Sequence, residues 1–96
     1  MRVTILGKCW DLKFVSKKEM KDRGMSRAWG YCDPPDAARK EIVILDSLKP
    51  ETELEVLAHE VAHAADWSKD EQWIEDFAID LARILTRLGY SRAKKD

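Results

Sequence analysis

The sequence predicts an α+β domain, in which a small sheet of three or four mostly antiparallel strands is followed by two antiparallel helices. Runs that alternate between apolar and polar residues lie in the first half of the chain, and apolar residues at helical spacing lie in the second half. Only a short turn separates the two helical stretches, so the helices are expected to be antiparallel. The 96 residues are expected to form one domain over residues 1–90, with a short basic tail at residues 91–96.

The strand signals lie before residue 46. Residues 2–6 and 10–14 alternate on either side of a Gly-Lys pair, which predicts a hairpin of two half-buried strands. Residues 29–33 predict a short strand that stops at an Asp-Pro-Pro-Asp turn. The nearly continuous apolar run of residues 40–45 predicts a strand that is buried on both faces, or an edge strand that another element covers. The basic stretch at residues 16–28 is predicted to be a loop or a short irregular helix.

Two helices are predicted in the second half. Residues 49–53 begin the first helix, where a proline suits the first turn, and this helix is expected to end near Trp67. The second helix is expected to have Asp70 as its N-cap and Gly89 just beyond its C-terminus. Its buried face is predicted to consist of Ile74, Phe77, Ala78, Leu81, Ile84, Leu85 and Leu88.

The charge of the chain is unevenly distributed, although the net charge is only −1. Residues 1–48 carry a charge of +3 and residues 49–96 a charge of −4, and residues 51–80 contain ten acids but a single base, Lys69. A negative field there favours a cation, either a metal or a basic substrate segment, although solvated helices with clustered acids would give the same count. The nearly neutral total gives no clear nucleic-acid signature.

The expected location of the protein is the cytoplasm. No apolar run approaches the ~20 residues of a membrane helix, and the first residues lack the apolar core of a signal peptide. Neither Cys9 nor Cys32 belongs to a Cys-x-x-Cys motif, so both are expected to be free thiols. A monomer or a small oligomer is expected.

The main chemical signal is the segment His59-Glu60-Val61-Ala62-His63, which contains both histidines of the chain. Residues four apart lie on one face of a helix, so two imidazoles can bind one metal ion. Glu60 lies next to that face, where it can reach a metal-bound water. The motif therefore predicts a zinc site with Glu60 as the general base, and the alternative is an accidental occurrence of a short pattern.

The third ligand has to be a carboxylate or a thiolate, because the chain has no other histidine. The candidates are Glu71, Glu75, Asp66 and, with less support, Cys9 and Cys32. Asp66 lies ~10 Å along the helix axis from His59, so it suits a supporting role better than ligation. Glu71 is preferred because it falls on the inward stripe of the second helix. Glu75 would then accept a hydrogen bond from the outer N–H of a ligating imidazole, or lie in solvent.

Peptide hydrolysis would also require a hydrogen-bond donor for the oxyanion. The available candidates are Tyr31, Tyr90, Arg83 and Arg87. The simpler interpretation is that the tyrosines pack within the fold and that the arginines lie on a solvated face of the helix. The strand at residues 29–33 or the strand at residues 40–45 could hold an extended substrate by backbone pairing.

The motif followed by a helix that carries Glu71 resembles the gluzincin branch of the zincin metallopeptidases. The resemblance implies a minimal zincin fold, zinc bound by His59, His63 and Glu71, and hydrolysis of a peptide or protein substrate with Glu60 as the base. The stretch from Tyr31-Cys32-Asp33-Pro34-Pro35 through the motif to Leu85-Thr86-Arg87-Leu88-Gly89-Tyr90 is also similar to small zincin-like proteins of phages and bacteria. SprT-like and phage-repressor-regulating metallopeptidase domains are more distant relatives by motif.

The chain also departs from the larger families that carry this motif. The spacing from His63 to Glu71 is much shorter than in thermolysin-like enzymes, and the third histidine of the metzincin and SprT patterns is absent. Two other hypotheses therefore stand beside the enzyme. One is a zinc-stabilised interaction module, and the other is a structural helix hairpin with an accidental motif.

Overall fold

A computed structural model of the chain describes residues 1–93. Its elements, in chain order, are β1 (Arg2–Ile5), β2 (Lys8–Val15), α1 (Lys17–Asp22), β3 (Gly30–Cys32), β4 (Glu41–Leu45), α2 (Pro50–Ala65) and α3 (Glu71–Arg87). The predicted α+β class is confirmed. None of the helices in this part of the chain is long and apolar enough to cross a membrane.

The four strands form one mixed sheet in the order β1-β2-β4-β3. The β1–β2 and β3–β4 pairs are antiparallel, as expected for most of the sheet, but the central β2–β4 pair is parallel. A parallel pair needs a long connection, and the segment from α1 through β3 provides it. Strand β3 lies at an edge of the sheet.

The predicted hairpin of β1 and β2 is confirmed, and its turn lies at Leu6-Gly7. The φ angles of these two residues are 48° and 82°. Positive φ at both central positions is typical of the tight turn that joins twisted antiparallel strands. Lys8 consequently belongs to β2 and not to the turn.

The sheet separates two apolar clusters. Between the sheet and α2 lie Trp10, Ile42, Ile44, Val56 and Ala64. Between the sheet and α1 lie Val15, Met20, Val43 and Leu45. Successive residues of β4 contribute to opposite clusters because side chains alternate along a strand. This confirms the prediction that β4 is buried on both faces.

Helix α2 packs very closely against the edge strand β3 at Gly30. A Cβ atom added at Gly30 would lie 2.7 Å from Val56 Cγ1 and 3.0 Å from the carbonyl oxygen of Val43. Any larger residue at this position would have to push the strand and the helix apart. Gly30 therefore determines how close β3 lies to the helix that carries the His-Glu motif.

Replacing Gly30 with alanine is expected to lower the free energy of unfolding by about 1–3 kcal/mol, because it overpacks this contact. Urea denaturation would measure the loss. In the double variant Gly30→Ala/Val56→Ala, the loss should be smaller than the sum of the two single losses, because the nearest clashing atom is removed. Simple additivity of the two losses would contradict a direct contact between these positions.

The ends of the two long helices agree closely with the sequence prediction. The Asp70 carboxylate caps α3 by accepting the backbone N–H of Trp73 at 3.2 Å. At the other end Gly89 has a φ of 87°, and the backbone N–H of Tyr90 donates to the Leu85 carbonyl, which closes the helix. Helix α2 ends at Ala65, slightly earlier than the expected end near Trp67.

The predicted buried face of α3 is only partly correct. Ile74 and Ala78 are buried, but Phe77, Ile84 and Leu88 are exposed. The reason is that α3 packs on α2, which lies between it and the sheet, so only a narrow strip of α3 is covered. Ala82, which the apolar pattern did not single out, is buried in that strip.

The segment after α3 is anchored at Arg92. Its Nε and Nη2 atoms each donate to one carboxylate oxygen of Glu53 at 3.0 Å, and its guanidinium lies 3.9 Å from the centre of the Phe14 ring. Glu53 is 7% exposed, so Arg92 supplies the positive charge that this buried carboxylate needs. Residues 94–96 of the predicted tail lie outside the described residues.

Replacing Arg92 with methionine is expected to lower the free energy of unfolding by about 1–3 kcal/mol, because Glu53 would be left buried without a partner. Thermal unfolding would measure the loss. The double variant Glu53→Leu/Arg92→Met should recover most of it, since an apolar pair needs no neutralisation. Equal stability of Arg92→Met and wild type would show that Glu53 does not depend on this ion pair.

Candidate metal centre

The two histidines of the motif lie one turn apart on α2 and face the same point. Their Nε2 atoms are 3.1 Å apart, and their ring centres are separated by 4.8 Å. This placement follows from the helical spacing, because residues i and i+4 project from one side of a helix. The helical part of the motif prediction is therefore confirmed.

The first turn of α3 brings Glu71 to the same point. Its Oε1 atom lies 2.8 Å from His59 Nε2, and its Oε2 atom lies 3.0 Å from His63 Nε2. Within residues 1–93, these three side chains form the one group of histidine, cysteine or acidic residues whose ligand atoms all lie within 4.8 Å of one another. The short α2–α3 connection produces this meeting because it starts the second helix beside the end of the first.

The donor set suits a zinc ion. Two imidazole nitrogens and one carboxylate oxygen are a ligand set of catalytic zinc sites, which leave one further position open. Ligand atoms placed tetrahedrally at ~2.0–2.1 Å from zinc are about 3.3 Å apart. The two Nε2 atoms are 3.1 Å apart, which is close to that value. The distances of 2.8 and 3.0 Å run to different oxygens of Glu71, so its carboxylate would have to shift for one oxygen to complete the site.

The other acidic candidates for the third ligand do not join this group. Asp66 follows the last turn of α2, where its Oδ1 atom accepts hydrogen bonds from the backbone N–H of Ser68 at 3.1 Å and from its hydroxyl at 2.7 Å. These bonds lower the pKa of Asp66. Glu75 is exposed one turn beyond Glu71 on α3.

The cysteine candidates also lie outside the group of three. Cys9 is exposed near the start of β2. Cys32 lines the cleft beside the histidines, and its thiol donates to the Asp33 carbonyl at 3.3 Å. Burial, followed by the negative charges of Glu60 and Asp33, raises the pKa of the Cys32 thiol to about 12. The raised pKa makes the thiolate form costlier to reach than for an ordinary cysteine, which disfavours ligation.

Glu60 is buried beside the group of three. It is 9% exposed and lies on the sheet-facing side of α2, where it lines the same cleft as the histidines. Burial raises the pKa of Glu60 to about 7, the Glu71 charge also raises it, and His59 opposes the shift. A carboxylate with a pKa near neutrality is well matched to accepting and returning a proton at physiological pH.

The cleft around these side chains has a volume of about 460 Å³. Strand β3 supplies one wall through Gly30 and Cys32, and Trp67 and Lys69 from the α2–α3 connection also line it. The ring of Trp67 lies 5.9 Å from that of His63, centre to centre. Among residues 1–93, β3 pairs with β4 alone, so in this part of the chain its other edge carries no strand.

The four proposed oxyanion donors are not gathered in this cleft. Tyr31 belongs to the β3 wall, but its hydroxyl accepts a hydrogen bond from Arg23 at 2.8 Å and its ring packs on the α1 side of the sheet. Arg83 and Arg87 lie in the last turns of α3, and Tyr90 follows that helix. Unlike Tyr31, the residues Arg83, Arg87 and Tyr90 do not line the cleft.

Lys69 is a cleft residue to which the sequence analysis assigned no role. Its Nζ atom lies 4.5 Å from the centre of the Trp73 ring. The signal that could have identified it is its position as the single base among residues 51–80. It brings a positive charge to a cleft whose other ionisable groups include two carboxylates, Glu60 and Glu71.

Comparison of the chain with protein-family models, with curated proteins and with solved structures gave no match. The residues in the cleft therefore provide the indications of function.

Proposed function

We propose that the protein is a zinc-dependent metallopeptidase. His59, His63 and Glu71 hold the metal, and Glu60 is the general base. The observation that carries the proposal is the meeting of two imidazoles and one carboxylate within hydrogen-bonding distance of one another, beside a buried glutamate with a raised pKa. A structural metal site would have no need of Glu60.

Bound zinc would act as a Lewis acid that lowers the pKa of a water molecule and polarises the substrate carbonyl. Glu60 accepts the proton that the water loses when its oxygen attacks the peptide carbonyl. It then returns that proton to the nitrogen of the leaving amine, so the carboxylate is regenerated. The apolar surroundings of Glu60 keep it basic enough for the first transfer and acidic enough for the second.

The substrate is an extended peptide that pairs with the free edge of β3. An edge strand presents unpaired N–H and C=O groups that a peptide can bind as an added strand. Gly30 and Cys32 lie on this strand and line the cleft with Glu60. The peptide would therefore pass directly beside the proposed base. Lys69 also lines the cleft and carries a positive charge.

The proposal is tested by comparing Glu71→Gln with Glu75→Gln, which makes the same chemical change one helical turn away. Wild type and Glu75→Gln should each bind one zinc ion per chain and cleave members of a random peptide library, as detected by mass spectrometry. Glu71→Gln should bind zinc at least ~100-fold more weakly, because it loses a charged ligand. Addition of EDTA should stop cleavage.

Two outcomes would contradict the proposal in different ways. Zinc binding without cleavage of any peptide or protein would favour the zinc-stabilised interaction module. Failure of the wild type to bind zinc or a comparable divalent ion would favour the structural hairpin with an accidental motif.

A further inference from the structure

Helix α3 carries an apolar stripe that faces solvent. The stripe consists of Trp73, Phe77, Leu81, Ile84 and Leu88. Trp73 and Phe77 are 47% and 44% exposed, and Ile84 and Leu88 are 55% and 68% exposed. The steps of four and three residues between Phe77 and Leu88 match the seam of a coiled coil, so these side chains form one row along the helix.

The first half of the stripe borders an apolar groove between α2 and α3. The groove has a volume of about 330 Å³, and its α2 wall consists of Ala58, Val61, Ala62 and Ala65. The rings of Trp73 and Phe77 are stacked with centres 5.2 Å apart, and Lys69 covers Trp73 at 4.5 Å. These rings are thus held in place, and rigid aromatic side chains beside a groove are typical anchors of protein interfaces.

A row of charged side chains runs along the border of the stripe away from α2. Its members, all exposed, are Asp76, Asp80, Arg83 and Arg87. They follow the same steps of four, three and four residues, so they remain beside the stripe along its length. The first two are negative and the last two are positive. The row therefore matches, in charge, the same row of a second helix that runs in the opposite direction.

We propose that two copies of this chain associate through the apolar stripe, with their α3 helices antiparallel. In that arrangement Phe77 packs on Ile84 of the second copy, and Trp73 packs on its Leu88. Nearly the same register places Asp76 beside the second copy's Arg87 and Asp80 beside its Arg83. In a parallel arrangement the row would instead face the opposite border of the second copy's stripe, so its acids and bases would not pair with one another.

This dimer has twofold symmetry, because each pair of contacts occurs twice with the two copies exchanged. The α2–α3 pairs of the two copies then form a four-helix arrangement, in which the stripe becomes a buried seam. The metal-binding cleft remains open, because Glu71 lies on the side of α3 that faces α2. The inference is therefore independent of the proposed peptidase activity.

Sedimentation equilibrium of the full chain tests the inference, in EDTA and in zinc, at concentrations up to about 200 µM, where even a weak dimer is populated. The expected mass is twice the 11.1 kDa of one chain. Phe77→Ser and Ile84→Ser should each weaken association at least ~10-fold. Trp67→Ser removes an exposed aromatic side chain outside the stripe and should leave association unchanged.

Charge reversal tests the antiparallel register. The variant Asp76→Arg/Asp80→Arg has a fully positive row, and the variant Arg83→Asp/Arg87→Asp has a fully negative one. Each should associate with itself at least ~10-fold more weakly than wild type at low salt, and an equimolar mixture should form a mixed dimer. The quadruple variant, in which the row is inverted, should again associate with itself.

Three results would overturn the inference. One is a wild-type chain that remains a monomer at the highest concentration. If that monomer also sediments with vesicles of anionic phospholipid, the stripe binds a lipid surface instead. Another is a dimer that Phe77→Ser leaves intact while circular dichroism shows native helix content. The third is a failure of the two charge variants to form a mixed dimer.

Discussion

Replacing Glu60 with glutamine is expected to slow hydrolysis strongly and, at the same time, to make the metal-free protein more stable at pH 8. Glutamine has nearly the shape of glutamate but cannot accept a proton, so the loss of general base catalysis should lower kcat by about 10²–10⁴-fold. Zinc binding should persist, because the three proposed ligands are unchanged. Cleavage of a peptide identified with the wild type, measured at saturating zinc, would show the loss.

The gain in stability comes from the cost of burying the ionised carboxylate. The pKa of Glu60 is raised from 4.5 to about 7 in the folded chain. Between these values the native state holds a proton that the unfolded state has released, so stability falls as the pH rises through this range. Above pH 7 the full cost is present, and at about 1.4 kcal/mol per pKa unit it amounts to about 3 kcal/mol.

Urea unfolding in EDTA at pH 5 and pH 8 would measure this effect. The difference in free energy between Glu60→Gln and wild type should be small at pH 5 and about 3 kcal/mol in favour of the variant at pH 8. Glu75→Gln removes an exposed carboxylate from α3 and should show no such dependence. An equal gain at both pH values would mean that glutamine improves packing and that ionisation of Glu60 costs nothing.

The meeting of His59, His63 and Glu71 could be predicted from the sequence because it depends on local rules. The spacing of His59 and His63 determines their common face on any helix. The choice of Glu71 over Glu75 required only the apolar periodicity of the second helix, since Glu71 falls on its inward stripe with Ile74. The mixed sheet could not be predicted in the same way, because strand pairing depends on contacts between distant parts of the chain.

The exposed half of the apolar face of α3 shows a second limit of sequence reasoning. Periodicity identifies which residues share a face, but it does not state how much of that face a neighbour covers. Here α2 covers Ile74 and Ala78 and leaves Phe77 and Ile84 in solvent. The prediction of a fully buried face was wrong for a single protomer, and the proposed dimer would account for the apolar character of the remaining positions.

Zinc is expected to raise the melting temperature of the wild type by roughly 15–30 °C when its free concentration is about 1,000 times its Kd. A ligand that binds only the folded state contributes about 4 kcal/mol under these conditions. Each kcal/mol shifts the midpoint by about 4–8 °C in a domain of this size. The effect should be large because the three proposed ligands come from two helices, so a bound ion would join α2 to the start of α3.

The pattern among variants decides whether the shift comes from the proposed centre. His63→Ala should lose most of the zinc-dependent shift, because two ligands hold zinc far more weakly than three. Glu60→Gln should retain the shift although its hydrolysis is strongly slowed, which separates the role of the base from the role of the ligands. Scanning calorimetry with zinc and with EDTA would measure all three proteins. If His63→Ala responded to zinc as the wild type does, the stabilising ion would be bound at another place in the chain, and the proposed centre would be wrong.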